Sequence, residues 1–275
     1  MTVLNTNLAA AWTPEDYGKA IDLVVDAESI AFLVATVTGT DKQTIRFPIL
    51  VDDAATGWVP EKGTIPLTDP DTDEVVVTPT KVAGRVELSN ESVMDSDPEV
   101  LDETAKGLGR SLAKRIDSAF FGNTVTNGPS GLLSLAADFQ VVDAGTFTNL
   151  DPFHDAKLQA FNNNAELTHF VLAPDVANTL AKVKTASGSN AGLLETVDNG
   201  IRLAGVPVYV SRAVAAGNAW GLDKRQIRTV RRLGTTIVAD ASASFDSDAM
   251  QLRATSRVGF GFANPAGVIR LHDSA

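Results

Sequence analysis

The 275-residue sequence contains no cysteine. That excludes disulfides, thiolate nucleophiles, iron–sulfur clusters and thiolate zinc sites together. Histidine is almost as scarce, with only His154, His169 and His272, far apart along the chain. Aromatic residues make up 6% and there are three methionines, which is modest for a tightly packed enzyme core. No apolar run approaches the roughly 20 residues of a membrane-crossing helix. The N-terminus lacks a basic start followed by an apolar stretch and a small-residue cleavage site. The expectation is therefore a soluble chain that is not exported, and its 44% hydrophobic content excludes a wholly disordered one.

Positive charge is also in short supply, with 23 bases against 34 acids and a net charge of −11. This argues against sequence-independent binding to nucleic acid or membranes, which needs clustered cations. The imbalance is uneven. Residues 1–105 hold 20 acids and 6 bases, whereas residues 106–275 hold 14 acids and 17 bases. Between Val51 and Thr80 seven acids (Asp52, Asp53, Glu61, Asp69, Asp71, Asp73, Glu74) face Lys62 alone. Between Asp223 and Arg232 five bases (Lys224, Arg225, Arg228, Arg231, Arg232) face one acid. Two readings stand: differently solvated regions, or an acidic segment of one copy lying on a basic surface of another.

The local patterns give an order of elements. Residues 1–12 read as an arm, and Thr13-Pro14-Glu15-Asp16 opens a short helix to about Ala27. Strand 44–51 and a returning strand 74–82 enclose a Pro-, Gly- and acid-rich excursion containing Trp58, Ile65 and Leu67. A lone two-stranded ribbon is marginal in water, so these apolar residues require burial against something else, such as another subunit. Asp95-Ser-Asp97-Pro98 starts a long helix. Its stripe of Leu101, Ala105, Leu108, Leu112, Ile116 and Phe120 spans some six turns and ends at Gly122. Gly107 and Gly109 inside it imply close packing. Short alternating helices and strands follow to about residue 226, with a Gly/Ser/Asn loop at 185–192. The tail returns to strands at 227–230, 235–239, 250–258 and 268–271.

Catalytic motifs are missing. Gly128-Pro129-Ser130-Gly131 has the wrong spacing for a nucleophile elbow. Lys106-Gly107-Leu108-Gly109-Arg110 lies inside a helix, and Gly259-Phe260-Gly261-Phe262 lacks the third glycine and following helix of a nucleotide loop. Asp69, Asp71 and Asp73 alternate like calcium ligands, but Pro70 intervenes and neither the turn glycine nor the closing glutamate is present. No cofactor or metal is expected, and an enzyme would have to be built from carboxylates alone.

The order of the parts resembles the major capsid proteins of tailed bacteriophages, the Hong Kong 97-like family. The resemblance is carried by Phe47-Pro48, Gly57-Trp-Val-Pro-Glu-Lys-Gly63 and Ile65-Pro-Leu-Thr-Asp69, then Lys81-Val-Ala-Gly-Arg-Val-Glu-Leu-Ser-Asn90. Asp95–Pro98, Gly128–Leu133, Leu203–Ser211 and Arg253–Gly261 complete it, over about residues 14–272. It implies an α+β chain with an N-terminal arm (1–43), an extended loop (44–80), a peripheral domain split between 81–125 and 226–275 with a spine helix at about 98–121, and an inserted axial domain (126–225). It further implies hexamers and pentamers closing an icosahedral shell around DNA that is not bound sequence-specifically. The location implied is the virion, with assembly in the host cytoplasm. Portal is an expected partner; because the sequence starts directly at the arm, so is a separate scaffolding protein, the alternative being none, and a decoration protein is an option. Lys62 and Asn264 are the one pair superficially suited to the cross-linking of some relatives, and non-covalent locking is the reading here. Trp58, Glu61, Lys62, Ile65, Asp69, Asp71, Asp73, Arg225, Arg228, Arg231 and Arg232 are the candidate inter-subunit contacts. An encapsulin-type compartment shell is the alternative within the fold, and an enzyme of unidentified type the alternative outside it.

Overall fold

The computed structural model describes residues 22, 25–52, 56–65, 67, 71–91, 99–184, 195–197 and 200–272. The expected arm at 1–12, the helix start at Thr13, the cap at Asp97 and the loop at 185–192 lie outside these residues.

Alternation of apolar and polar residues builds the first sheet. Strands β1 (Thr36–Thr40), β4 (Thr80–Ser89), β11 (Ile227–Arg232), β12 (Thr236–Ser244) and β13 (Ala249–Phe262) form it, with β13 as the central strand. β13 runs antiparallel to β4, β11 and β12, while β1 joins β11 in parallel. Val82 and Val86 of β4 and Leu252, Ala254, Val258 and Phe260 of β13 turn to the core. Helix α2 (Glu99–Phe121) lies on that face, as its stripe demands. Leu108, Leu112, Ile116 and Phe120 are buried, and Phe120 meets Phe260 edge to face at 5.0 Å between ring centroids. Close approach occurs on the strand side, where a side chain on Gly84 would come within 3.1 Å of Leu108. Gly107 was expected to mark such a contact, but an added Cβ there would meet only the tip of Arg110, at 3.8 Å. Nothing in the structure explains that glycine.

A second sheet of seven strands runs in the order β5 (Gln140–Asp143), β14 (Ile269–His272), β10 (Asn218–Leu222), β6 (His169–Leu172), β9 (Val206–Val210), β8 (Gly200–Leu203) and β7 (Glu195–Val197). Helices α3 (Asp151–Asn162) and α4 (Pro174–Lys182) flank these strands in sequence, each with proline in its first turn. The last strand departs from expectation. Residues 268–271 were assigned with the peripheral segment, but β14 pairs with β5 and β10 in this second sheet. Its Ile269 and Leu271 are fully buried there, which supplies the physical reason.

The third sheet is the ribbon of β2 (Ile45–Asp52) and β3 (Asp71–Val77). The single returning strand expected at 74–82 is divided at Thr78-Pro79, because proline offers no N–H to a ladder. β1 was not anticipated. It draws residues 36–40, expected within the arm, into the first sheet, just after the four-residue helix α1 (Ile30–Leu33).

Candidate subunit interface

The ribbon is anchored at its root and bare beyond it. Period-two alternation puts Gly259 and Gly261 on the face of β13 opposite Phe260 and Phe262. A Cβ on Gly259 would stand 2.8 Å from Val77 Cγ1, and one on Gly261 would stand 2.6 Å from Val77 Cγ2 and 3.1 Å from Val75 Cγ1. The four residues misread most easily as a nucleotide loop therefore have two jobs. The phenylalanines face the spine helix, and the glycines make room for the ribbon. Arg228 secures the same joint, its guanidinium 5.7 Å from the centroid of the Phe47 ring. On the other face of the ribbon, Arg46 pairs with Glu74 across the two strands at 2.6 Å.

The tip turns at Pro60–Gly63, where the Gly63 N–H donates to the Pro60 carbonyl at 2.8 Å and Lys62 takes the left-handed conformation at φ 62°. Around it Trp58 is fully exposed, Leu67 95% and Ile65 78%. Glu61, Lys62 and Asp73 are exposed with them. Asp69, and the side chain of Asp71, lie outside the described residues. Transfer of these apolar groups from water is worth roughly 25 cal/mol per Å², and nothing within the described residues covers them.

The basic run, expected as a subunit contact or a solvated strand, divides among several partners within the subunit. Arg231 is only 11% exposed and turns inward. It forms an ion pair with Asp26, approaches Asp22 at 3.5 Å, and its Cζ stacks 4.4 Å from the centroid of Phe32. Arg225 pairs with Glu166 at 2.9 Å and Asp223 at 3.3 Å. Arg232 donates through Nε to the Asp41 carbonyl at 3.2 Å. Arg231 and Arg225 are thus engaged inside the subunit, and Arg228 meets the ribbon of its own chain. One signal for this was present in the sequence: Asp22 and Asp26 are spaced one helical turn apart, so both face one cation.

A second tie was not legible. Asp117, on the buried side of α2, accepts from the Ser29 hydroxyl at 2.6 Å, the Ala31 N–H at 3.0 Å and the Ile30 N–H at 3.1 Å. It caps α1 from a distance of 87 residues along the chain. Burial raises its pKa above the usual carboxylate range, and the three donated hydrogen bonds act in the opposite direction.

The histidines do not converge. His169 stacks on Tyr209 with ring centroids 5.5 Å apart, and burial, followed by Lys224, lowers its pKa. His272 ends β14. No group of three histidine, aspartate or glutamate residues is placed to hold a metal among the described residues. Asn264 is held at both ends of its amide, with Oδ1 accepting from the Gly267 N–H at 3.1 Å and Nδ2 donating to the Asn163 carbonyl at 2.7 Å.

The phage capsid family model matches residues 14–273. No curated protein matches in sequence. Among solved structures, one from Mycobacterium phage Adephagia is 16% identical, with a TM-score of 0.75 over 100% of this chain and 95% of that one. One from Mycobacterium phage Bobi is 16% identical, with a TM-score of 0.72 over 90% and 91%. The capsid of an empty GTA particle is 19% identical, with a TM-score of 0.73 over 88% and 89%. At these identities the likeness is one of fold, the Hong Kong 97-like arrangement of spine helix, two sheets and ribbon. The family match favours a viral shell over a cellular compartment, and it places the protein in a structural family rather than an enzymatic one. This chain belongs to the phage capsid family, as a major capsid protein of a tailed phage.

Proposed function

We propose that the protein assembles into hexamers and pentamers, that these close an icosahedral shell around the phage genome, and that the ribbon of each subunit is buried on a neighbour. The observation that supports this most directly is the ribbon itself. A rooted two-stranded element ending in exposed Trp58, Ile65 and Leu67 has no means of covering them within the subunit. In this reading β4, α2, β11, β12 and β13 form the peripheral unit, and residues 126–225 with β14 form the axial unit. Assembly takes place in the host cytoplasm with a portal and a separate scaffolding protein, and the joints are non-covalent. The engagement of Asn264 in capping residues 265–267 supports the last point.

The test is expression of the full chain with light scattering and negative-stain electron microscopy. Shells, capsomers or curved sheets are expected, and Trp58→Ala should reduce them at least tenfold while leaving the circular dichroism melt unchanged. A chain that stays monomeric across salt and concentration would defeat the proposal. So would assembly of Trp58→Ala at the wild-type level.

A further inference from the structure

The ribbon root and helix α2 occupy opposite faces of the first sheet. The root sits at Gly259 and Gly261, whereas α2 covers Phe260 and Phe262. The helix has an outer surface of its own, turned away from the sheet. With 3.6 residues per turn, Lys106, Arg110 and Lys114 form one row there, opposite buried Leu108, Leu112 and Ile116. The row is about 12 Å long. Lys106, Lys114 and the neighbouring Arg115 are exposed and make no ion pair or hydrogen bond with a described residue. Arg110 pairs with Glu103 at 2.7 Å, and Glu28 is the other acid whose charge acts on it. Like charges four residues apart destabilise a helix, so this row, in a chain of net charge −11, calls for a counter-charge from outside the subunit.

Gly107 lies within the same surface. Glycine inside a helix is destabilising relative to alanine, yet an added Cβ here would meet nothing nearer than the tip of Arg110, at 3.8 Å. No neighbour within the subunit needs the space, so the glycine leaves a bare spot on the outside of the helix. Ser111 and Ser118 are exposed beside it. From Glu103 onward no large apolar side chain of α2 is exposed. A contact between proteins has an apolar, aromatic-rich centre, whereas one with nucleic acid is polar and cationic. Lysine, arginine and serine side chains are common donors to phosphate oxygens. A duplex carries one charge per about 1.7 Å of its axis, so it can meet the row in any register.

We infer that this surface of α2 faces the inside of the shell and contacts the phosphate backbone of the enclosed DNA without regard to sequence. Lys106, Arg110, Lys114 and Arg115 meet phosphates, and Gly107 lets the duplex come close to the helix. The inference rests on the shell reading above and adds to it the side of the subunit that meets the genome. Net negative charge keeps each contact weak, while many copies act on one duplex together. The DNA is thereby held along the wall and still slides. A second set of exposed cations lies on the ribbon's side of the sheet, where register places Lys81 across from Arg257 and Arg85 across from Arg253. That set faces away from α2 and serves as the control.

Two measurements on the full chain test it. In the first, unassembled protein is titrated with a mixed-sequence DNA duplex at low salt. Wild type should bind, and Lys106→Gln with Lys114→Gln should bind about tenfold more weakly. The slope of log affinity against log salt should flatten by about 1.8, from about 0.9 for each cation removed. Gly107→Glu should weaken binding at least as much while melting no lower than wild type, because glutamate is the better helix former. In the second, shells are assembled with the duplex and treated with nuclease, and the protected DNA per shell is counted. Both α2 variants should protect less than wild type, and Arg85→Gln with Arg253→Gln should protect as much. Wild type that binds no duplex, or an unchanged slope in the double lysine variant, would overturn the inference. So would a loss of protected DNA confined to the Arg85 and Arg253 variant. Loss of assembly in the lysine variant with its slope retained would overturn it in favour of a protein partner. A wild-type chain that binds duplex through α2 but never assembles would keep the DNA contact and remove the shell reading beneath it.

Discussion

At the scale of single residues the subunit is held by polar contacts that cross the chain. Asp117 satisfies two backbone N–H groups and a hydroxyl in a buried position. Truncation to Ala leaves those donors without acceptors, at about 1–3 kcal/mol for each buried group left unpaired. Asp117→Ala should therefore shift a denaturant midpoint well below wild type. The pH dependence has a definite sign. Burial raises the folded-state pKa of Asp117 above its unfolded value, so the folded subunit holds that proton more firmly than the unfolded chain does. Its contribution is greatest below the unfolded pKa and declines as pH rises through the folded one. Compared with Asp117→Asn, wild type should gain relative stability on going from pH 7 to pH 4. Paired melting curves of the two proteins check this, and a flat difference would show that folding leaves the Asp117 pKa unshifted. Acid therefore does not unlatch α1 through this residue.

At the scale of elements, strand β13 joins the helix, the ribbon and the sheet. Phe260 and Phe262 sit 5.0 and 6.2 Å from the Phe120 ring on one side, and Gly259 and Gly261 admit Val75 and Val77 on the other. Gly261→Val should push the ribbon off its seat, an overpacking that costs about 1–3 kcal/mol. The expected signs are faster proteolysis within 45–77 and loss of assembly, with the rest of the subunit still folded. Protease protection equal to wild type would show that the root is not where the ribbon is held. This part of the chain also shows what sequence reading could and could not supply. The alternation in Lys81–Ser89 and the stripe from Ala105 to Phe120 state their burial openly, so β4 and α2 are found within a residue or two. The ribbon is legible because proline, glycine and acids replace a core pattern. β1 is not, since Thr36-Val-Thr-Gly-Thr40 carries no amphipathic signal and its parallel partner β11 is 192 residues away in the Thr36↔Arg228 pairing. The site was half legible for the same reason. Counting charges finds a basic run at 224–232, but only the register reveals that Arg231 turns inward and that Lys81, Arg85, Arg253 and Arg257 share one face.

At the scale of the whole molecule, the shell reading has each subunit reach a neighbour through a ribbon whose apolar tip is uncovered among the described residues. Such a contact is head to tail, and a rotation that closes it produces a ring. Assembly by this route should be concentration-dependent and weaken between low and physiological salt, where the screening length shortens to about 8 Å. Sedimentation at two salt concentrations would display the shift from capsomers to free subunits. An unchanged distribution would assign the contact to apolar burial alone.

The two-sided strand also bears on how this sequence can diverge. Because successive residues at 259–262 answer to different neighbours, a substitution there is judged by one side only, either the helix or the ribbon. A change in length is judged by both. Deleting one residue would turn phenylalanines toward the ribbon and glycines toward the helix, exchanging filled space for empty space on each side. Variants of this region that still form particles should therefore differ in composition, within limits set separately on each face, and keep the spacing from Arg253 to Phe262 unchanged.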